Sequence, residues 1–376
     1  MKLFKITQIV GLLSVALAIV AEDANADTFR YREGGAWQDI SDGTTPGWRL
    51  NDGTVVADVP GLGDEARINW AVQTVTLDYE APEINRLLIG VDEGGVLEVN
   101  SGGKLTLIED LVVGNNGFVD ATMDVNNGAV VDVGRILWLA RGPNIGDTLA
   151  FFNINEGGVV NVASHLWWGS TGEAVVEISG TLNQTGGILG LGSQDFSVFG
   201  GTATVNVRSG GEFNLNNIHG GGTQLSIQSG SKIDIFGSGQ VTIKGDQVGS
   251  VNGYVDAGLI TGEGVQGNID VSLTSGSVSG DFNEDGVVDA ADYTVYRDNV
   301  GGLNGLPNDD GLGVVGQLHY DLWETNYGAE GEQLTVVTVA PAAALAVPEP
   351  GSLAIVGGML VVGSLRARRH SVANRV

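Results

Sequence analysis

Between about residues 86 and 250 the chain repeats one short pattern, and this limits its fold more than any other feature. Leu97-Glu-Val99-Asn100-Ser-Gly-Gly-Lys-Leu105-Thr-Leu107 aligns with Met123-Asp-Val125-Asn126-Asn-Gly-Ala-Val-Val131-Asp-Val133. It also aligns with Phe152-Asn-Ile154-Asn155-Glu-Gly-Gly-Val-Val160-Asn-Val162. Copies beginning at Val205 and Leu225 continue the series, and Val176-Glu-Ile178-Ser-Gly-Thr181 is a shortened one. Each unit alternates apolar and polar residues, turns through glycine and alternates again, the period-two signature of strands with one buried face. A third apolar patch follows at Leu111–Gly114, Leu137–Ala140 and Leu166–Gly169.

One unit cannot bury its own apolar face, so copies must stack. The pattern predicts a mainly β fold: a right-handed parallel β-helix over 86–280. The rival is a β-sandwich of antiparallel hairpins, which also uses short strands and glycine turns but does not require the same pattern every 20 to 29 residues. Asn100, Asn126 and Asn155 take equivalent places, so their amides are expected to form a ladder. Residues 27–85 are expected to cap the first coil, with Trp37, Trp48 and Trp70 covering its open end. The run Pro60–Ile68, followed by Val75-Thr-Leu77, resembles the leading segment of autotransporter-type β-helix passengers.

Glycine makes up 60 of 376 residues, about twice the usual share, as many tight turns require. Cysteine is absent, so packing and any bound metal carry the stability. The net charge is −27, which opposes binding to nucleic acid and to anionic lipid.

After the repeats, residues 281–292 read Asp-Phe-Asn-Glu-Asp-Gly-Val-Val-Asp-Ala-Ala-Asp. Oxygen ligands at loop positions 1, 3, 5, 9 and 12, with glycine at 6, suit Ca²⁺. The expected ligands are Asp281, Asn283, Asp285, the Val287 carbonyl, Asp289 and Asp292. A metal-free turn rich in Asp, Asn and Gly is the alternative. Asp at position 12, with a helix following, resembles the type I dockerin loop. Dockerins are duplicated loop–helix units. Here a gapless shift of 27 residues carries Tyr293–Gly301 onto Tyr320–Gly328 and Gly286 onto Gly313. The resemblance implies a small helical module over 281–328. In its second loop, Asn308 and Asp310 keep positions 1 and 3, but Leu312, Gly316 and His319 fall on 5, 9 and 12. One metal site is therefore expected, with the other half held by Tyr293, Tyr296, Tyr320 and Trp323. Residues 329–346 read as a linker.

Catalysis has only a diffuse candidate set: Asp124 and Asp132 with Arg135 and Arg141. The histidines His165, His219, His319 and His370 are scattered without zinc spacing. In the coil alignment Val112, Trp138 and Trp167 share one column, and Val113, Leu139 and Trp168 the next. Adjacent columns face opposite sides, so one of Trp167 and Trp168 points outward. Such a column is either a sugar-stacking platform or an aromatic stack covered by loops.

Both ends carry addresses. Lys2 and Lys5, the apolar run Ile6–Val20 and Ala24-Asn25-Ala26 form a secretory signal over 1–26, with a retained anchor as the alternative. At 347–376, Pro348-Glu349-Pro350 precedes an apolar run, Leu353–Leu365, and Arg366, Arg368 and Arg369. This order resembles the PEP-CTERM sorting tail of planctomycete-type bacteria. The resemblance implies processing by an exosortase-type envelope protease, and a plain membrane anchor is the alternative. Thirteen apolar residues are short against the roughly 20 that span a bilayer. The chain thus reads as an exported, non-catalytic scaffold or adhesion protein of the cell surface or matrix, with a polysaccharide or surface protein as partner. The rival is a polysaccharide-binding or polysaccharide-degrading β-helix. Mass spectrometry of envelope-extracted protein is expected to find a chain starting at or near Asp27 and lacking Arg366–Arg369. An intact basic tail would refute the sorting reading.

Overall fold

The computed structural model describes residues 27–32, 34–40, 47–69, 74–115, 119–142, 148–194, 197–221 and 224–341. The leader, the Pro348-Glu349-Pro350 tail, Trp70 and His370 lie outside them. Within the described residues no helix is long and apolar enough to cross a membrane.

Three long sheets carry the chain through a β-solenoid. Each repeat contributes one strand to each sheet. The coil beginning at Val119 uses Val119–Val125, Val130–Val133 and Leu137–Leu139. Its strands pair in parallel with those of the coil before, Gly95–Val99, Lys104–Leu107 and Leu111–Val113. They pair likewise with those of the coil after, Thr148–Ile154, Val159–Val162 and Leu166–Trp168. The parallel register excludes the sandwich of hairpins.

Register turns the sequence pattern into columns. Leu97, Met123, Phe152, Val176, Val205, Ile233 and Ile260 stack inside the second sheet. Leu105, Val131, Val160, Leu182, Phe213 and Val241 stack inside the third. All of them are buried in one continuous core. Fully burying a side chain of this kind stabilises by about 1.5–3 kcal/mol, so the stack, not any single contact, holds the fold. Asn126 Nδ2 donates to Asn100 Oδ1 (2.7 Å) and Asn155 Nδ2 to Asn126 Oδ1 (2.6 Å), the ladder the sequence predicts.

Both ends of the solenoid are closed by antiparallel strands. Gly47–Leu50 pairs antiparallel with Thr28–Arg32 on the first sheet. There Trp37 and Trp48 are fully buried, with ring centroids 4.8 Å apart, and Tyr31 packs edge-on to Trp48 at 4.9 Å. At the other end helix α1, Val248–Asp256, buries Val251 and Tyr254 in the main core. Gln333–Val339 then inserts antiparallel between Gln240–Lys244 and Ile269–Ser275 in the third sheet. This corrects the linker reading over 333–339, while 342–346 lie outside the described residues. Leu334-Thr-Val-Val-Thr-Val339 has strand composition, and its partners are distant in sequence, so local reading gives it no place.

Helices α2, Ala290–Asn299, and α3, Gln317–Asn326, fall in the chain between Ile269–Ser275 and Gln333–Val339. Their boundaries differ by the same 27 residues as the sequence repeat. Their C-caps, Val300 and Tyr327, share nearly the same backbone angles.

The turn glycines Gly102, Gly128, Gly157 and Gly210 all have φ between +74° and +86°, where an L side chain is strained. An added Cβ on Gly210 meets nothing within 4 Å, so substitution there isolates the backbone cost. Gly210→Ala is expected to destabilise the chain by about 1–2 kcal/mol. Chemical denaturation of the protein from Asp27 onward measures it, and an unchanged midpoint would refute the account.

Candidate metal centre

The loop from Asp281 to Asp292 leads directly into α2. Its own amides orient its oxygens. Asp281 accepts from the N–H groups of Asp285 (3.2 Å) and Gly286 (2.9 Å). Asn283 Oδ1 accepts from Asp285 N–H (3.0 Å), and Asp285 Oδ1 from Val287 N–H (3.0 Å). Asp289 caps α2 by accepting from Ala291 N–H (2.6 Å). Asp292 accepts from Asn283 N–H (3.0 Å) and Asp289 N–H (2.8 Å), joining the start of the loop to its end. Gly286 holds φ +88°, and a Cβ there would lie 2.2 Å from that of Ser275.

Asp281 and Asp292 are buried, at 1% and 0% exposure. Among the described residues neither forms a salt bridge, and nor do Asp285 and Asp289. Two desolvated carboxylates on one loop are costly without a compensating charge. The donor set is all oxygen, which suits a hard divalent cation. The arrangement is not yet a coordination shell. Among the described residues no three His, Asp or Glu side chains are gathered to hold a metal ion. Asn283 Nδ2 instead donates to Asp285 Oδ2 (2.9 Å).

The second loop solves the same problem internally. His319 stands where the first loop has Asp292, and it is fully buried. Gly316 N–H points at its Nδ1 (3.4 Å), which assigns the proton to Nε2, and Nε2 meets Asp309 Oδ2 at 3.1 Å. Burial opposes ionisation of Asp309. The N–H groups of Gly311 and Leu306 and the His319 ring outweigh it and hold the carboxyl below the usual carboxylate range. Asn308 and Asp310 turn away from their own loop. Asn308 Nδ2 donates to the Asp281 carbonyl (2.8 Å), and Asp310 accepts from Ser279 Oγ (2.7 Å). The Asp309–His319 pair escapes a sequence reading because Asp309 aligns with Phe282 rather than with any ligand position.

The helices meet through the four expected aromatics. Tyr293 and Trp323 centroids are 5.1 Å apart, and Tyr296 and Tyr320 are 6.0 Å apart. Trp323 Nε1 donates to the Asp289 carbonyl (2.6 Å), tying α3 to the first loop.

The other candidates are dispersed. Asp124 accepts from Asn153 (2.6 Å) on the second sheet, and Asp132 from Asn161 (2.8 Å) on the third. Arg135 grips Asp110 with two hydrogen bonds (2.8 and 2.7 Å), and Arg141 lies over the Trp138 ring at 4.5 Å. Trp168 points into the main core and stacks on Phe213 at 5.7 Å. Trp138 and Trp167 face outward but are 5% and 1% exposed, in a second apolar cluster with Leu88, Val91 and Val112. None of the three presents an open face. No protein-family model matches the chain, and neither a curated protein nor a solved structure is significantly similar to it.

Because the folded Asp309 pKa is depressed, its stabilisation is present above the ordinary Asp value of about 4 and is lost as pH falls through the folded value. Asp309→Asn is expected to lower the unfolding midpoint at neutral pH and to converge with the parent protein in strong acid. Thermal unfolding across pH checks this, and parallel curves would contradict it.

Proposed function

We propose that the chain is an exported, non-catalytic scaffold of the cell surface or matrix, carrying a dockerin-like module that binds one Ca²⁺. The observation that carries the metal reading is the pair of buried carboxylates, Asp281 and Asp292, without a cationic partner among the described residues. Asp281, Asn283, Asp285, Asp289 and Asp292 would supply side-chain oxygens and Val287 its carbonyl. The ion would supply the positive charge that Asp281 and Asp292 lack. In the second loop Asp309 already accepts from the Gly311 and Leu306 N–H groups and from the His319 ring, so one site is expected rather than two.

The scaffold reading rests on where regularity is placed. The repeats fix inward apolar columns and turn glycines. The residues weighed for catalysis belong to separate sheets and turns, each engaged with its own neighbour. Catalysis needs a few groups held at one place in a cleft. Export follows from the residue 1–26 signal and the Pro348-Glu349-Pro350 tail, with an exosortase-type protease as processing partner.

Calorimetric titration of the protein from Asp27 onward with Ca²⁺ tests the metal reading. About one equivalent is expected to bind, and Asp292→Ala is expected to abolish the heat while leaving the solenoid folded. Two equal sites, or none, would overturn it.

A further inference from the structure

The three outward faces of the solenoid differ in chemistry. That of the first sheet is the covered apolar cluster around Trp138 and Trp167. On the second, one column runs Glu98, Asp124, Asn153, Glu177, Asn206, Asp234 and Thr261, with acids at four of its seven places. On the third, register aligns Thr106, Asp132, Asn161, Asn183, Asn214 and Thr242.

This third column is a second amide ladder. Asn161 Nδ2 donates to Asp132 Oδ1 (2.8 Å), Asn183 to Asn161 (2.9 Å) and Asn214 to Asn183 (2.9 Å). Each of these asparagines uses one amide N–H on the ladder, and its second N–H and second carbonyl lone pair remain for a ligand. All of them are half-exposed. Six strands at about 4.8 Å spacing make a row about 24 Å long. Two hollows lie along it. One, of about 410 Å³, is lined by Asn183, Asn214, Asn216, Thr242 and the Lys244–Glu332 ion pair. The other, of about 240 Å³, is lined by Thr106, Asp132 and Asn161. Thr185 lines both, so they form one trough.

We propose that this trough binds an extended, uncharged glycan chain. Regularly spaced amides present donor and acceptor together, which matches sugar hydroxyls. The ladder holds the side chains in place before binding, so little rotamer freedom is lost. Lys244 is paired with Glu332, and a chain of net charge −27 repels polyanions, so phosphate and uronate polymers are disfavoured. The trough is long and open, suited to a polymer rather than to a small molecule. Neutral hydrogen bonds without aromatic stacking set the expected affinity for a hexaose on the order of 0.1–1 mM. The inference goes beyond the metal reading and does not depend on it.

The test uses the protein from Asp27 onward in Ca²⁺, titrated calorimetrically with cello-, xylo-, manno- and laminarihexaose and with hexagalacturonate. At least one uncharged hexaose is expected to bind, with hexagalacturonate at least tenfold weaker. Thr185→Trp, which fills the junction of the hollows from an exposed position, is expected to weaken binding at least tenfold. Asn214→Val, which removes the last rung at a half-exposed site, is expected to do the same. Both should leave the unfolding midpoint and the Ca²⁺ titration unchanged. Absence of binding by every uncharged hexaose at 10 mM would overturn the proposal. So would equal or tighter binding of hexagalacturonate, or indifference of the folded variants.

Discussion

Everything in this structure depends on in-register hydrogen bonding between equivalent strands of successive coils. Strands about 4.8 Å apart bring each side chain against its own counterpart. A residue type is therefore selected for how it stacks on itself. Apolar residues do so inside, as Leu105, Val131, Val160 and Leu182 show. Outside, a carboxylate above a carboxylate is repulsive, whereas an amide donates to one neighbour and accepts from the other. On the second sheet Glu98 and Asp124 still stack directly, but Asn153 separates Asp124 from Glu177 and Asn206 separates Glu177 from Asp234, and asparagine runs unbroken from Asn161 to Asn214 on the third. Parallel stacking would leave open edges at both ends. Antiparallel strands, Gly47–Leu50 and Gln333–Val339, change the direction of pairing where the repeats stop.

The solenoid was legible because period-two alternation and turn glycines are local signals, and because copies can be laid over one another. The Asn100, Asn126 and Asn155 ladder followed from that alignment alone. What alignment does not reveal is what lies above an outward residue. It required one of Trp167 and Trp168 to face outward without saying which; Trp167 does, in a column with Trp138, and the burial of both depends on neighbours such as Leu88 and Val91. Gln333–Val339 was missed for a related reason. Its pairing partners are 58 to 98 residues earlier, and only the assembled sheet shows that a place was left for it. Helix α1 was hidden by its composition, since Val248-Gly-Ser-Val-Asn-Gly-Tyr-Val-Asp256 carries two glycines and weak helix formers.

The paired loops show one backbone serving two electrostatic designs. Both place a positive-φ glycine at position 6, Gly286 and Gly313, and both lead into a ten-residue helix. The first buries two carboxylates around the loop start and the helix N-terminus. The second buries one carboxylate and one imidazole, a combination that satisfies itself. Ligand decay in the second copy was readable from spacing. The replacement was not, because the acid that pairs with His319 moved one position along the loop.

The first loop is also wired to the end of the solenoid. Gly331 N–H donates to the Gly286 carbonyl (2.7 Å), Gly328 N–H to that of Val288 (2.8 Å) and Val288 N–H to that of Ala329 (2.9 Å). One residue further on, Gly276 N–H donates to the Glu332 carbonyl (2.7 Å), and Gln333–Val339 begins. The module therefore leaves and returns through two adjacent antiparallel strands, and the loop backbone is continuous with their pairing. A ligand that binds only the folded loop stabilises that state by mass action. Because loop and closing strand share hydrogen bonds, a cation taken up by Asp281 and Asp292 would steady the strand that seals the third sheet. The same strand carries Leu334 along the rim of the amide trough, beside Glu332. The loop from Asp281 to Asp292, the sealing strand and one end of the amide column thus meet within one short stretch of chain.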